Sequence, residues 1–152
     1  MSKSFTQLST TEVDRRTFQL NKTLGYLDSV HGLIEAQATF ITNYASLDSL
    51  RNILLFIFYA LLADYGDKSA TIHDWLYSGY GIRKADGSIY YPTRKEADQV
   101  LYRALRAEGV ARWRAWMFYA GVRVGGNAHF SEKKVDWTPM AVVEDIQLQL
   151  VA

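Results

Sequence analysis

Apolar and polar residues alternate, in part, through the first forty-odd positions. Thr17-Phe18-Gln19-Leu20, Thr23-Leu24-Gly25-Tyr26-Leu27 and the stretch Leu33 to Ile41 follow this spacing, the period of a half-buried strand. Asp28-Ser29 and His31-Gly32 supply turn chemistry between them. The pattern predicts a small antiparallel sheet or meander.

From Ser46 the period lengthens. Ser46 or Asp48 can cap a helix, and Leu50, Ile53, Leu54, Ile57, Phe58 and Leu61 follow at three-and-four spacing. Leu55, Phe56 and Tyr59 occupy the other face, so this helix belongs either to the core or to an interface with another chain. A second, shorter helix is predicted from about Ser69 to Tyr77. Ile82 to Tyr91 then carries Asp86-Gly87 at its centre, the signature of a two-residue hairpin. Pro92-Thr93 opens a third helix over Arg94 to about Glu108, stopped by Gly109. A fourth runs from Ala111 to about Val124 and ends at Gly125-Gly126. On it Trp113, Trp116 and Met117 share a side, an arrangement that predicts core packing. These elements predict an α+β fold: a small N-terminal antiparallel sheet packed on about four helices, with a short β-hairpin insertion. Residues 1–126 form one domain in this reading, and 127–152 a C-terminal extension or arm.

Composition narrows the function classes. The chain has 152 residues, 49% of them hydrophobic and 22% charged, enough apolar material for a real core and too much for a disordered chain. Lys and Arg number 17 against 16 Asp and Glu, a formal net charge of +1, so no global field recruits nucleic acid or an anionic membrane. The charge is uneven. Between Arg94 and Lys134 nine cations face Glu96, Asp98, Glu108 and Glu132, and the usual meaning is long Arg side chains solvating the outer faces of two amphipathic helices. No cysteine occurs, which excludes disulfides, thiolate metal sites and a Cys nucleophile, and fits a reducing compartment. Met1 to Gln7 lacks the apolar core of a signal peptide. The longest apolar run, Ile53 to Ala63, is well short of the roughly 20 residues of a membrane-spanning helix, so no membrane span is expected. Phosphate loops, Gly-x-Ser-x-Gly and His-Glu-x-x-His are absent; the cofactor stays open, and a closed metal site on His73, Asp74 and Asp98 is not expected, because His31 and His129 fall in turn-like or tail sequence.

The chemistry concentrates in two predicted helices. Residues three and four apart share a helix face, so His73 lies with Leu76 and Tyr77, and Asp98 with Leu101, Tyr102 and Leu105. A carboxylate on an apolar stripe is costly unless something pairs with it. The imidazole on the preceding antiparallel helix is the natural partner, which predicts a His73–Asp98 contact. Asp74, about 100° around the helix from His73, can cap, pair with an Arg, or face a cleft beside the dyad. Such a dyad either makes His73 a general base toward water, with Asp98 its orienter, or satisfies two buried polar groups and fixes the packing of two helices.

The same residues carry a family resemblance. Phe40-Ile41-Thr42-Asn43-Tyr44-Ala45-Ser46, then His73-Asp74-Trp75-Leu76-Tyr77, then Arg94-Lys95-Glu96-Ala97-Asp98 continued by Ala104 to Val110, then Tyr119 to Gly125 with Arg123 occur in a fixed order. This order over about residues 17–126 resembles the small phage and prophage proteins grouped as domain of unknown function 1353. In that pattern an Asp is usual where Asn43 stands, Thr39 replaces a Gly before Phe40, and Leu47-Asp48 replaces Val-Pro. An amide still hydrogen-bonds but is no base. A looser similarity is to secreted phospholipases, whose His-Asp-x-x-Tyr helix faces a second helix bearing the dyad Asp. There the Asp beside the His helps hold calcium with a Gly-rich loop, whereas this chain has no glycine between Gly32 and Gly66.

The resemblance implies a phage or prophage origin; synthesis in the host cytoplasm is expected with it, and a place in the virion is one of two expected destinations. Two functions follow as expectations. The first is a virion or assembly component that docks on other phage proteins or on its own copies, with nucleic acid not an expected partner. The alternative is a small hydrolase acting on host envelope or nucleotide material, with His73 as base, Asp98 as orienter and Asp74 as a cation or substrate ligand.

Overall fold

The computed structural model describes residues 4–15, 17–42 and 66–138. Its strands are β1 (Thr10–Asp14), β2 (Thr17–Leu20), β3 (Leu24–Asp28), β4 (Gly32–Ala36), β5 (Ile41–Thr42), β6 (Ile82–Arg83) and β7 (Ile89–Tyr90). The helices are α1 (Asp67–Tyr77), α2 (Arg94–Ala107) and α3 (Arg112–Gly125), the last followed by a 3-10 turn, Gly126–His129. The fold is α+β with small antiparallel sheets. The apolar helix expected from Ser46 to Ala63, the motif residues Asn43 and Ser46, and the tail from Pro139 lie outside the described residues.

The strands form three small sheets. β2 is central in the first, flanked by β1 and β5; β3 pairs with β4, and β6 with β7. In the β3–β4 hairpin Leu24 faces Ala36 and Tyr26 faces Ile34, and these four side chains are buried. Ser4 to Thr6 runs along the outside of β3, where the Phe5 ring stacks on Tyr26 at 4.6 Å.

The predicted strand Leu33 to Ile41 is in fact two. β4 ends at Ala36, Phe40 N–H turns back to the Gln37 carbonyl at 3.2 Å, and Thr39 takes a left-handed φ of 73°. The chain thereby leaves the β3–β4 hairpin and pairs β5 with β2. Ala36, Phe40 and Thr42 are all buried, so the apolar alternation continues across a turn that breaks the backbone pairing. β1 has no such alternation: its residues after Thr10 are exposed, and pairing with β2 alone makes it a strand.

α2 begins and ends as its sequence dictates. Thr93 accepts from the Glu96 N–H while the Glu96 carboxylate accepts from the Thr93 N–H at 2.7 Å, a closed capping box. Gly109 takes φ +92° just beyond the helix, and Val110 N–H bonds the Leu105 carbonyl at 3.0 Å. The Asp86-Gly87 turn differs in detail from expectation. Lys84 and Ser88 close it, so three residues form the loop, with Gly87 left-handed at φ +87°. A three-residue loop with a left-handed glycine is the next most common hairpin connection.

α2 serves two cores. Ala97, Val100 and Ala104 join Ile72, Trp75 and Leu76 of α1 and the inner side chains of β3 and β4. Leu101 and Leu105 join Ala70 of α1 and Ala115, Phe118 and Val122 of α3. Both helix pairs are antiparallel. Ser69, near the start of α1, donates its N–H and hydroxyl to Glu108 after the end of α2, while His73 reaches Asp98 in its first half. The start of α2 meets the end of α3 through Arg94 and the Val122 carbonyl.

The inward face of α3 is a correction. Ala115, Phe118, Gly121 and Val122 are buried, whereas Trp113 and Trp116, expected in the core, are each 53% exposed. The stripe 115–118–122 satisfies helical spacing as well as 113–116–117 does. Ala115 and Gly121 let α3 approach closely, and the bulky indoles remain outside.

Residues after α3 turn back over the molecule. Ser131 N–H bonds the Tyr77 carbonyl and Val135 N–H the Gly79 carbonyl, both at 2.8 Å. Trp137 donates its indole N–H to the Tyr80 carbonyl and packs edge-on against Trp75. No helix among the described residues is long and apolar enough to cross a membrane.

Candidate functional site

α1 turns His73 and Tyr77, one helical turn apart, toward α2. Their rings lie 4.0 Å apart. Across the helix interface Asp98 meets both. His73 Nε2 is 2.8 Å from Asp98 Oδ1, and the Tyr77 hydroxyl donates to the same oxygen at 2.5 Å. The second carboxylate oxygen accepts from Arg123 of α3 at 2.8 Å. Arg94, one turn before Asp98, holds its guanidinium 3.8 Å away and also donates to the Val122 and Arg123 carbonyls. One carboxylate thus ties together three helices.

The electrostatics follow from that geometry. Burial alone pushes the Asp98 carboxyl up, but hydrogen bonds from His73, Tyr77 and Arg123 outweigh it and hold it below the usual carboxylate range. Asp98 is therefore an anion at neutral pH. Burial, and then Asp98 itself, push the Tyr77 hydroxyl up, so it remains a protonated donor. Gly126 is part of the same packing: a Cβ there would stand 2.7 Å from the Tyr77 hydroxyl oxygen.

Asp74 points elsewhere, as the 100° offset requires. Its Oδ2 accepts from Thr42 Oγ1 of β5 at 2.6 Å. β5 therefore delivers Thr42 of the first motif to the helix that carries the second. His73 is 1% exposed and Asp98 0%, with Asp74 buried beside them. Among the described residues, no group of three or more His, Asp or Glu side chains is placed to hold a metal ion.

The described site residues singled out from the sequence, Thr42, His73, Asp74, Tyr77, Arg94, Asp98 and Arg123, are brought together here. Asn43 and Ser46 fall outside the described residues. Sequence reasoning missed that Tyr77 and Arg123 bond the same carboxylate as His73. The spacing of His73 and Tyr77 by one turn, and of Arg94 and Asp98 by one turn, was the available signal; nothing local pointed Arg123 at Asp98. A third buried carboxylate was legible only as turn chemistry. Asp28, at the β3–β4 turn, accepts a bidentate pair from Arg103 of α2 at 2.8 and 3.0 Å.

Searches of curated proteins and of solved structures give no match to this chain. The family described as Protein of unknown function (DUF1353) matches residues 18–122. That span takes in Thr42, the dyad and its tyrosine, and the chain belongs to this family.

Proposed function

We propose that the chain is a small hydrolase with a His73–Asp98 centre. One observation carries this reading: the polar residues of the motif segments converge on one buried cluster that joins β5, α1, α2 and α3. If packing were the whole purpose, apolar side chains of similar volume would serve as well or better, because buried ion pairs are expensive to desolvate. A network of coupled titratable groups is the usual furniture of a reaction centre.

In this mechanism Asp98 orients the His73 imidazole through Nε2, and the ring serves as general base toward water. Water attacks the ester carbon or phosphorus, and the His73 imidazole takes its proton. The imidazolium formed is stabilised by the anionic Asp98, which Tyr77 and Arg123 hold in place. The proton then goes to the departing alcohol. Asp74, steadied by Thr42, is the carboxylate for a substrate or cation. The imidazole is buried in this conformation, so substrate entry requires the site to open. Its substrates are host envelope or nucleotide esters.

The test uses the full chain with 4-nitrophenyl acetate and bis(4-nitrophenyl) phosphate as probes. Turnover of one probe is expected to fall at least about 100-fold in His73→Gln, while the exposed Trp113→Ala variant matches the parent. Equal rates for the parent and His73→Gln on both probes would overturn the hydrolase.

The burial of His73 favours a second reading, a phage virion or assembly component that works by docking. There the cluster is a keystone between helices, and exposed Trp113 and Val124, 53% and 88% accessible, supply contact area for another phage protein or a second copy. Equal rates with a large loss of thermal stability in His73→Gln support it.

A further inference from the structure

A second cavity lies on the outer side of the helical layer and shares no residue with the His73–Asp98 cluster. It has a volume of about 340 Å³, within the size range of small-molecule sites. Its floor is the groove between α2 and α3, and the β3–β4 turn, with Val30 and His31, closes one end.

Three aromatic rings line this groove. Trp116 and Tyr119 stand one turn apart on α3, their rings 5.4 Å apart and nearly perpendicular. Tyr102 of α2 meets Trp116 at 5.1 Å. Trp116 stands half in solvent beside this concave surface. The polar groups come from the same face of α2: Glu96, Gln99 and Arg103.

Both charged groups in this groove already have hydrogen-bond partners. Arg103 is held by Asp28 through two hydrogen bonds. The Glu96 carboxylate accepts from the Thr93 N–H and the Tyr90 hydroxyl, both at 2.7 Å. A phosphate would find its cation committed to Asp28, while each Glu96 oxygen accepts one neutral donor and keeps capacity for a hydroxyl. What remains is a set of donors and acceptors beside an aromatic platform. That combination suits a ring with apolar C–H faces and an equatorial rim of hydroxyls.

We propose that the α2–α3 groove binds a neutral saccharide, with Trp116 stacking on the sugar face and Gln99 and Glu96 hydrogen-bonding its hydroxyls. The site stands whether or not the dyad is catalytic. N-acetylglucosamine, galactose and maltose are the probes, each titrated into the full ¹⁵N-labelled chain while the tryptophan indole N–H signals are followed. At least one probe is expected to shift the Trp116 signal saturably at millimolar concentration. In Trp116→Ala the affinity for that probe, read by calorimetry, should fall at least about tenfold, and in Gln99→Ala it should fall measurably. Both side chains are exposed, so thermal midpoints of the two variants should stay at the parent value. No saturable shift with any probe up to tens of millimolar would overturn the proposal, as would affinity unchanged in Trp116→Ala. Tighter binding of adenosine monophosphate than of every sugar would overturn the saccharide assignment.

Discussion

Asp98 accepts from an imidazole, a phenol and a guanidinium while fully buried, and that saturation makes its protonation state a structural variable. Its folded pKa lies below the unfolded value. The ionised carboxylate therefore contributes stability that is complete above the ordinary carboxylate range and is lost as pH falls through the folded value. Asp98→Asn should cost about 1–3 kcal/mol near neutrality, and the gap to the parent should narrow in acid, where the parent loses the same interaction. Urea unfolding across pH checks this; a gap independent of pH would refute it. The sequence made His73 and Asp98 legible because a carboxylate on an apolar stripe demands a partner and the neighbouring helix offered one. Arg123 was not legible in that role. Its approach depends on how α3 crosses α2, and that angle is set by Ala115, Phe118, Gly121 and Val122 together.

Among elements, those closed by local chemistry were the most readable. Thr93 and Glu96 start α2 and Gly109 follows its end, all within a few residues of the helix they bound. Thr93→Ala should cost about 1 kcal/mol through loss of the capping box. Thermal denaturation would show this, with Thr93→Ser close to the parent. The strands were less readable, because a strand is completed by a distant partner. β1 owes its conformation to β2, and β5 left the strand that appeared to continue it. α3 shows the same limit on a helix: two stripes satisfied its spacing, and the space beside α2 selected the one with small residues.

At the scale of the whole molecule, two contacts bind layers that are remote in sequence. The Asp28–Arg103 pair locks the β3–β4 turn onto α2. Its carboxylate is subject to burial, which raises its pKa, but the Arg103 bonds and the His31 N–H outweigh that and hold it low. The segment 130–137 is seated through Gly79, whose φ of +86° and whose approach to the Lys133 carbonyl leave no space for a Cβ. Gly79→Ala should therefore detach this segment: backbone amides of Ser131 and Val135 should lose hydrogen-exchange protection while those within α2 retain it. Equal protection in parent and variant would count against that account. The α+β class, the helix ends, the place of the hairpin and the His73–Asp98 contact were legible residue by residue, since each is fixed by side chains within a turn or two of one another or by the cost of burying a lone charge. Which sheet each strand joined, which indoles stayed outside, and which cations reached Asp98 and Asp28 were settled by packing across the fold. Those outcomes depend on how surfaces fit across long stretches of chain, and hydrophobic burial fixes their total area without naming their partners.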